Sequence, residues 1–429
     1  MNVKSITAIT EPYPDGQRIV ALALEYPAEI GGGALSREQF EVPGRTVTDV
    51  YAAKKADNER SESGNYVVIS LDPEDEFCGT LLDMDGKPKR HGPRPPRPEG
   101  QRPQGGGGPR SFVLPDGRLF RGPRGLSARR DPLAVRIRQA EPITAADGTV
   151  FPAWDAEKTS DRENNHIADL FTQDRFEDMD YNFFVPEDLE EGKEYPLVLF
   201  IHDAGVIGVS PRITLEQGIG ATIWATPEEQ KKHKCFILAP QHAKELPIAN
   251  DEYWCTDDMY TIKRMADSLI EKYPIDTDRI YITGQSMGFM TGLEMLHTFP
   301  DFFAAALLPA GHWDLNKVAA MYDRNIWMFA SDEDKGAVNM LKLPELAEKL
   351  GGHIGHYKWD ANVPVSALSE LVRSVENDGS TFHLTEFVDD TIWRRDQPDR
   401  TYGGGHNGTW HLVYQIEAAR DWLFRQVKK

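Results

Sequence analysis

The chain has 429 residues, with 48 Lys and Arg against 68 Asp and Glu, a formal charge of −20 at pH 7. That balance opposes nucleic acid and anionic membranes as partners, and the length accommodates two domains or one large one with an appendage. No apolar run approaches the roughly 18 residues of a membrane span, and Met1-Asn2-Val3-Lys4-Ser5-Ile6 lacks the apolar core of a signal peptide. The expectation is a soluble protein acting on a neutral or small molecule, cytoplasmic as it stands, or secreted or periplasmic if a leader has been removed.

From Ser5 to about Gln139 short strand-like runs follow one another: Ile6 to Ile9, Ile19 to Tyr26, Thr46 to Tyr51, Tyr66 to Leu71 and Ala134 to Ile137. Turn formers such as Pro14-Asp15-Gly16 and Gly31-Gly32-Gly33 separate them, and no long helix intervenes. This pattern predicts an all-β, immunoglobulin-like sandwich over residues 1–145. Within it, Gly86 to Gly125 is dense in Pro, Gly and Arg. Such an insertion buries too little apolar surface to offset its ordering entropy, and the alternative is a basic arm for an anionic partner. Phe112-Val113-Leu114 and Arg118-Leu119-Phe120, around Pro115-Asp116-Gly117, form a small hairpin pattern inside it.

From about Asp178 strands alternate with helices, which predicts a mostly parallel sheet covered on both faces over residues 146–429. The strands are Tyr181 to Val185, Leu197 to Ile201, Phe236 to Ala239, Ile280 to Thr283, Ala304 to Leu308, Ile326 to Phe329 and Phe382 to Phe387. Met259, Ile262, Met265, Leu269 and Tyr273 mark one helix, and Leu412, Ile416, Ala419, Leu423 and Val427 mark the last. Cys78, Cys235 and Cys255 are too few for a disulfide framework and match no zinc spacing. Cys235, heading an apolar run, reads as a buried, unreactive thiol.

The chemistry is concentrated at Ile280-Tyr281-Ile282-Thr283-Gly284-Gln285-Ser286-Met287-Gly288, a buried strand running into Gly-x-Ser-x-Gly and then a helix carrying Phe289, Leu293 and Leu296 and stopped by Pro300. In such an elbow the serine stands on a strained turn at the carboxyl edge of the sheet, and the flanking glycines let neighbouring backbone pass. A serine hydroxyl needs a histidine to take its proton and a carboxylate to orient that histidine, in the chain order serine, acid, histidine on this fold. The strand Ile326 to Phe329 leads into Ala330-Ser331-Asp332-Glu333-Asp334, and Asp334 is the chosen acid, with Asp332, Glu333 and Asp360 as rivals. His406, on a glycine-rich loop from Thr401 to Trp410 before the last helix, is the chosen base over His353, His356, His383 and His411. Two N–H donors are needed for the oxyanion. Met287 supplies one, and Ala204, in His202-Asp203-Ala204-Gly205 after an early strand, is the candidate for the other. His202 reads as a brace for that loop. Gln241, Trp254, Trp313, Trp393 and Trp410 are candidates for the substrate pocket, with core packing the equal alternative for the tryptophans.

The chain resembles esterases with an N-terminal immunoglobulin-like domain, relatives of polyhydroxybutyrate depolymerases, feruloyl esterases and prolyl-oligopeptidase-like hydrolases. The resemblance rests on Asp15-Gly16-Gln17, Ala21-Leu22-Ala23-Leu24-Glu25-Tyr26, Pro196-Leu197-Val198, Gly284-Gln285-Ser286-Met287-Gly288, Ile326-Trp327-Met328-Phe329 and Asp421-Trp422-Leu423-Phe424. It implies an α/β-hydrolase fold with Ser286, Asp334 and His406 as the triad. Two features depart from it: relatives usually have His-Gly where this chain has His202-Asp203, and the Gly86 to Gly125 insertion is longer than theirs. The resulting expectation is a serine carboxylesterase for small or aromatic esters, needing no metal or organic cofactor. Its first domain walls the active-site mouth or pairs two chains. The alternatives are a serine peptidase of the prolyl-oligopeptidase type and a polymer-binding protein on a degenerate hydrolase.

Overall fold

The computed structural model describes residues 3–89, 112–113, 117–120, 125–392 and 404–428. The chain divides into two compact units, Met1–Gly92 with Arg130–Leu170, and Pro93–Arg129 with Phe171–Lys429. The division therefore falls at Leu170, where the sequence pattern placed it at 145. Arg162–Asn164, too polar to read as a strand, pairs in parallel with Ser5–Tyr13, matching Thr7 with Arg162. The insertion is divided: its start, to Gly92, groups with the first unit and the part from Pro93 with the second. Its predicted hairpin forms as Phe112–Val113 against Leu119–Phe120, and most of the remainder lies outside the described residues.

The first unit has a five-stranded sheet in the order Arg162–Asn164, Ser5–Tyr13, Gly16–Gly31, Ser63–Leu71, Val47–Ala53, and a three-stranded sheet of Lys158–Thr159, Arg136–Gln139 and Phe40–Glu41. The period of two is direct. Leu22, Leu24 and Tyr26 face one way into a core with Ile69 of the same sheet, Phe40 and Ile137 of the three-stranded sheet and Phe151 of a separate two-stranded pair, while Ala21 and Ala23 face the other way with Ile9, Tyr51 and Val68.

The second unit is built on nine strands in the order Thr172–Phe176, Met179–Phe184, Phe236–Gln241, Tyr195–Ile201, Ile275–Gly284, Ala305–Pro309, Ile326–Ser331, Phe382–Phe387, Gly355–Trp359. Met179–Phe184 pairs antiparallel with both of its neighbours, Thr172–Phe176 and Phe236–Gln241, and all the other pairings are parallel. Tyr195–Ile201, Phe236–Gln241, Ile326–Ser331 and Phe382–Phe387 are buried at every position, as continuous apolar runs demand when both faces are covered. Helix Asp258–Lys272 buries Met259, Ile262, Met265 and Leu269 against the sheet, each worth about 1.5–3 kcal/mol. Among the described residues no helix is long and apolar enough to cross a membrane, and all three cysteines are free.

The C-terminal end differs from expectation. His406 sits in a helix, Gly404–Val413, and a separate helix, Glu417–Arg425, follows it. Three glycines argue against a helix locally, but close packing decides here: a Cβ on Gly405 would stand 2.9 Å from the Cβ of Glu333.

Candidate active site

Strand Ile275–Gly284 ends at the elbow, and Ser286 takes φ 52° and ψ −111°, a conformation disfavoured for any residue with a side chain. The surroundings enforce it. Ser286 N–H donates to Ala310 C=O at 2.9 Å, and Met290 N–H donates to Ser286 C=O at 3.0 Å. A Cβ on Gly284 would lie 2.5 Å from Ile201 O, and one on Gly288 only 1.9 Å from the same oxygen. Only two glycines let the elbow pass this close to the neighbouring strand.

His406 Nε2 lies 3.0 Å from Ser286 Oγ, and His406 Nδ1 hydrogen-bonds Asp334 Oδ2. A carboxylate can only accept, so Nδ1 carries the ring proton and Nε2 offers its lone pair to the serine. Burial of Asp334 works to raise its carboxyl. The hydrogen bond and charge of His406, with the N–H groups of Gly336 and Ala337, outweigh this and hold it below the ordinary carboxylate range. The rivals are turned elsewhere: Asp332 Oδ2 accepts from Asp389 N–H at 2.9 Å, and Asp360 accepts from Asn362 N–H beyond the edge strand. Trp410 packs edge-on to the His406 ring at 4.9 Å, which makes it a support for that ring.

Met287 and Ala204 each open a helix, Met287–Thr298 and Ala204–Val206, so their N–H groups have no intrahelical acceptor. The Ala204 loop is held from several sides. His242 N–H donates to His202 Nε2 at 2.9 Å, which puts the His202 proton on Nδ1, donating to Asp203 C=O at 2.7 Å. Asp203 is extended at φ −78°, so the position makes no demand for glycine, and its carboxylate accepts from Gly205 N–H at 2.7 Å and Gln285 Nε2 at 3.3 Å. Residues just after the insertion complete the support. Ser127 Oγ donates to Ala204 C=O at 2.9 Å, Ser127 N–H donates to Ile207 C=O at 2.8 Å, and Ala128 N–H donates to the same carbonyl at 3.2 Å. Nothing near Ser127 in the sequence marks it for this role.

Two pocket candidates prove to be interior. Gln241 is 1% exposed, accepts from Thr214 Oγ1 at 2.6 Å and donates to Val206 and His242 carbonyls, so its amide is fully used in holding the loop. Trp313 is 1% exposed and donates to Glu294 Oε2 at 2.8 Å. Trp254 is half-buried with the Arg118 guanidinium over its ring at 4.2 Å, and Trp393 lies outside the described residues.

Residues 5–152 match the family described as the esterase Ig-like N-terminal domain, and residues 248–390 match the prolyl oligopeptidase family. A solved thermostable esterase is similar over 99% of this chain and 100% of its own, at 27% identity and a TM-score of 0.76. The protein is a serine hydrolase. It has the α/β-hydrolase fold with an esterase-type Ig-like domain before it. A mutant feruloyl esterase module from Clostridium thermocellum complexed with sinapinate is 11% identical over 58% of this chain and 86% of its own, with a TM-score of 0.39. The Pyrococcus horikoshii acylaminoacyl peptidase is 13% identical over 73% and 52%, with a TM-score of 0.40. Likeness at that level carries no argument about activity. No curated protein matches the sequence at a significant level.

Two consequences can be measured on this hydrolase. Burial pushes His202 and His383 down to about 4 from an ordinary 6.5, because it penalises the charged ring. The unfolded chain binds more protons between those values, so each contributes on the order of 3 kcal/mol of stability present above pH 6.5 and lost as pH falls toward 4. Thermal unfolding should show a steep decline in Tm from pH 6.5 to 4; a flat profile would mean the two rings are not buried neutral. Ser127→Ala removes a hydrogen bond to the Ala204 loop, and kcat should drop about 5-fold with KM little changed. Steady-state kinetics check this, and an unchanged kcat would show that the loop holds itself.

Proposed function

We propose that this hydrolase cleaves carboxylic esters through an acyl-enzyme on Ser286, His406 and Asp334. Ser286 Oγ attacks the ester carbonyl as its proton passes to His406 Nε2, and Asp334 keeps the ring in the required tautomer and stabilises the imidazolium. The carbonyl oxygen, now negative, is received by the N–H groups of Met287 and Ala204. Collapse expels the alcohol, which takes the proton from Nε2. Water then repeats the sequence: its proton goes to His406, its oxygen bonds the acyl carbon, and the Ser286 ester bond breaks with return of the proton. The proton shuttle and the N–H dipoles supply all the charge relief these steps need.

What supports the reading above all is the 3.0 Å approach of His406 Nε2 to Ser286 Oγ with Asp334 on the other ring nitrogen. End-to-end similarity to a thermostable esterase favours esters over amides, and the exposed aromatic ring of Tyr253, edge-on to His312 at 6.0 Å, favours small or aromatic esters. A peptidase is the second reading, favoured by the prolyl oligopeptidase match. Turnover of p-nitrophenyl esters of graded acyl length and of phenolic acid esters, set against aminoacyl and peptidyl p-nitroanilides, decides between them. Esters should be hydrolysed with a preference for short or aromatic acyl groups; faster cleavage of the anilides would overturn the proposal.

A further inference from the structure

We propose that His312, paired with Asp251, is a specificity-determining residue that hydrogen-bonds a hydroxyl group carried by the substrate; this rests on the ester-hydrolase reading above. His312 follows strand Ala305–Pro309 at the sheet edge that carries the triad, two residues after Ala310, whose carbonyl holds Ser286 N–H. Gly336 stands between this ring and the catalytic carboxylate, close to both. The place a Gly336 Cβ would occupy is 3.3 Å from Asp334 Oδ1 and 3.4 Å from His312 Nδ1. His312 Nε2 lies 3.5 Å from Asp251 Oδ1, while Nδ1 has no hydrogen-bond partner among the described residues.

A structural brace would be expected to have both nitrogens satisfied or to be fully buried. His312 is neither: its side chain is 24% exposed and that of Asp251 is 40% exposed. The loop that presents Asp251 is pinned in a costly shape. An Ala249–Cys255 bridge closes it, Asn250 Oδ1 accepts from Glu252 N–H at 2.8 Å, and Tyr253, 38% exposed, is held at φ 59°. A non-glycine residue at positive φ persists only where its surroundings impose it, and such strain gathers at binding sites. The Tyr253 ring meets His312 edge-on at 6.0 Å and Trp313 at 5.8 Å, giving an aromatic wall beside the imidazole.

Burial lowers the basicity of His312 against the pull of Asp251 and Asp334, with His406 adding to the lowering, which favours the neutral ring. With its proton on Nε2 toward Asp251, a neutral imidazole presents Nδ1 as an acceptor. A hydroxyl on the acyl or alcohol part of an ester is the donor that suits it, and an analogue lacking that hydroxyl leaves the nitrogen unpaired.

The test compares kcat/KM within matched pairs, methyl 3-hydroxybutyrate against methyl butyrate and methyl 4-hydroxycinnamate against methyl cinnamate, for the wild-type protein, His312→Leu, His312→Gln and Asp251→Asn. The wild type should favour the hydroxylated member of at least one pair by about 10-fold. His312→Leu should bring that ratio close to one, His312→Gln, which keeps a hydrogen-bonding group, should retain part of it, and Asp251→Asn should reduce it. Fluorophosphonate labelling of Ser286 in each variant establishes that the site is folded. Ester turnover with no hydroxyl preference, or a ratio unmoved by His312→Leu, overturns this proposal alone. Labelling of the wild type without turnover of any ester overturns the ester-hydrolase reading and this proposal with it.

Discussion

Ser286→Ala should abolish ester turnover, with kcat down by about 10⁵–10⁶-fold, and should abolish labelling by a fluorophosphonate. The size follows from the arrangement. His406 Nε2 has Ser286 Oγ as its reacting partner at 3.0 Å, and without that oxygen only the oxyanion donors and substrate binding remain to accelerate attack by water. The fold should survive, because alanine accepts the same backbone contacts to Ala310 and Met290. A companion variant reads the strain directly. At φ 52° and ψ −111° a residue with a side chain costs on the order of 1–3 kcal/mol, so Ser286→Gly should be inactive and yet unfold at a higher temperature than the wild type. Retained turnover in either variant would remove Ser286 from the nucleophile's role.

Asp334→Asn should lower kcat by about 10⁴-fold with KM close to wild type. The carboxylate accepts from His406 Nδ1 and from Gly336 N–H at 3.0 Å, and an amide NH₂ facing Nδ1 would force the ring proton onto Nε2, where it blocks acceptance from the serine. The neighbours provide the control. Asp332→Asn and Glu333→Gln should each cost less than about 10-fold, since Asp332 accepts from Asp389 N–H and Glu333 packs under Gly405. Because Asp334 is held below the ordinary carboxylate range, the stability it adds is present above that range and lost only as pH falls below it. The decline expected between pH 6.5 and 4 therefore belongs to the buried histidines. Equal losses in Asp332→Asn and Asp334→Asn would mean the acid had been misassigned.

The sequence points to Ser286, Asp334 and His406, which the structure brings within hydrogen-bond reach of one another, because each occupies a place that the fold's chain order dictates, and the continuous apolar strands mark that fold. Asp332 and Asp334 could not be separated by spacing, since two residues of turn decide which one faces His406. The helix around His406 was hidden because glycines at 404, 405 and 408 lower intrinsic helicity, and the packing against Glu333 that overrides them is distant in sequence. Strand Thr172–Phe176 escaped notice for a related reason: its first four residues are exposed, so no apolar alternation marks it. Gln241 and Trp313 are pocket candidates by their place after a strand's carboxyl end, but their polar atoms are consumed by the protein itself, and Trp313 takes the core-packing alternative. His312 and Asp251, sixty-one residues apart, carry no local signal at all.

The hold of Ser127 on the Ala204 loop bears on how such a protein can be inherited. The chain leaves the first unit, supplies Ser127 and Ala128 to the Ala204 loop, and re-enters the first unit at Arg130 before beginning the hydrolase proper at Phe171. The catalytic unit is thus not a contiguous stretch of gene. Recombination that exchanged everything upstream of Phe171 would transfer the triad intact and leave behind part of the scaffold for its electrophilic half, so the two units are tied to a common evolutionary fate by a few residues that belong, in sequence, to one and, in structure, to the other.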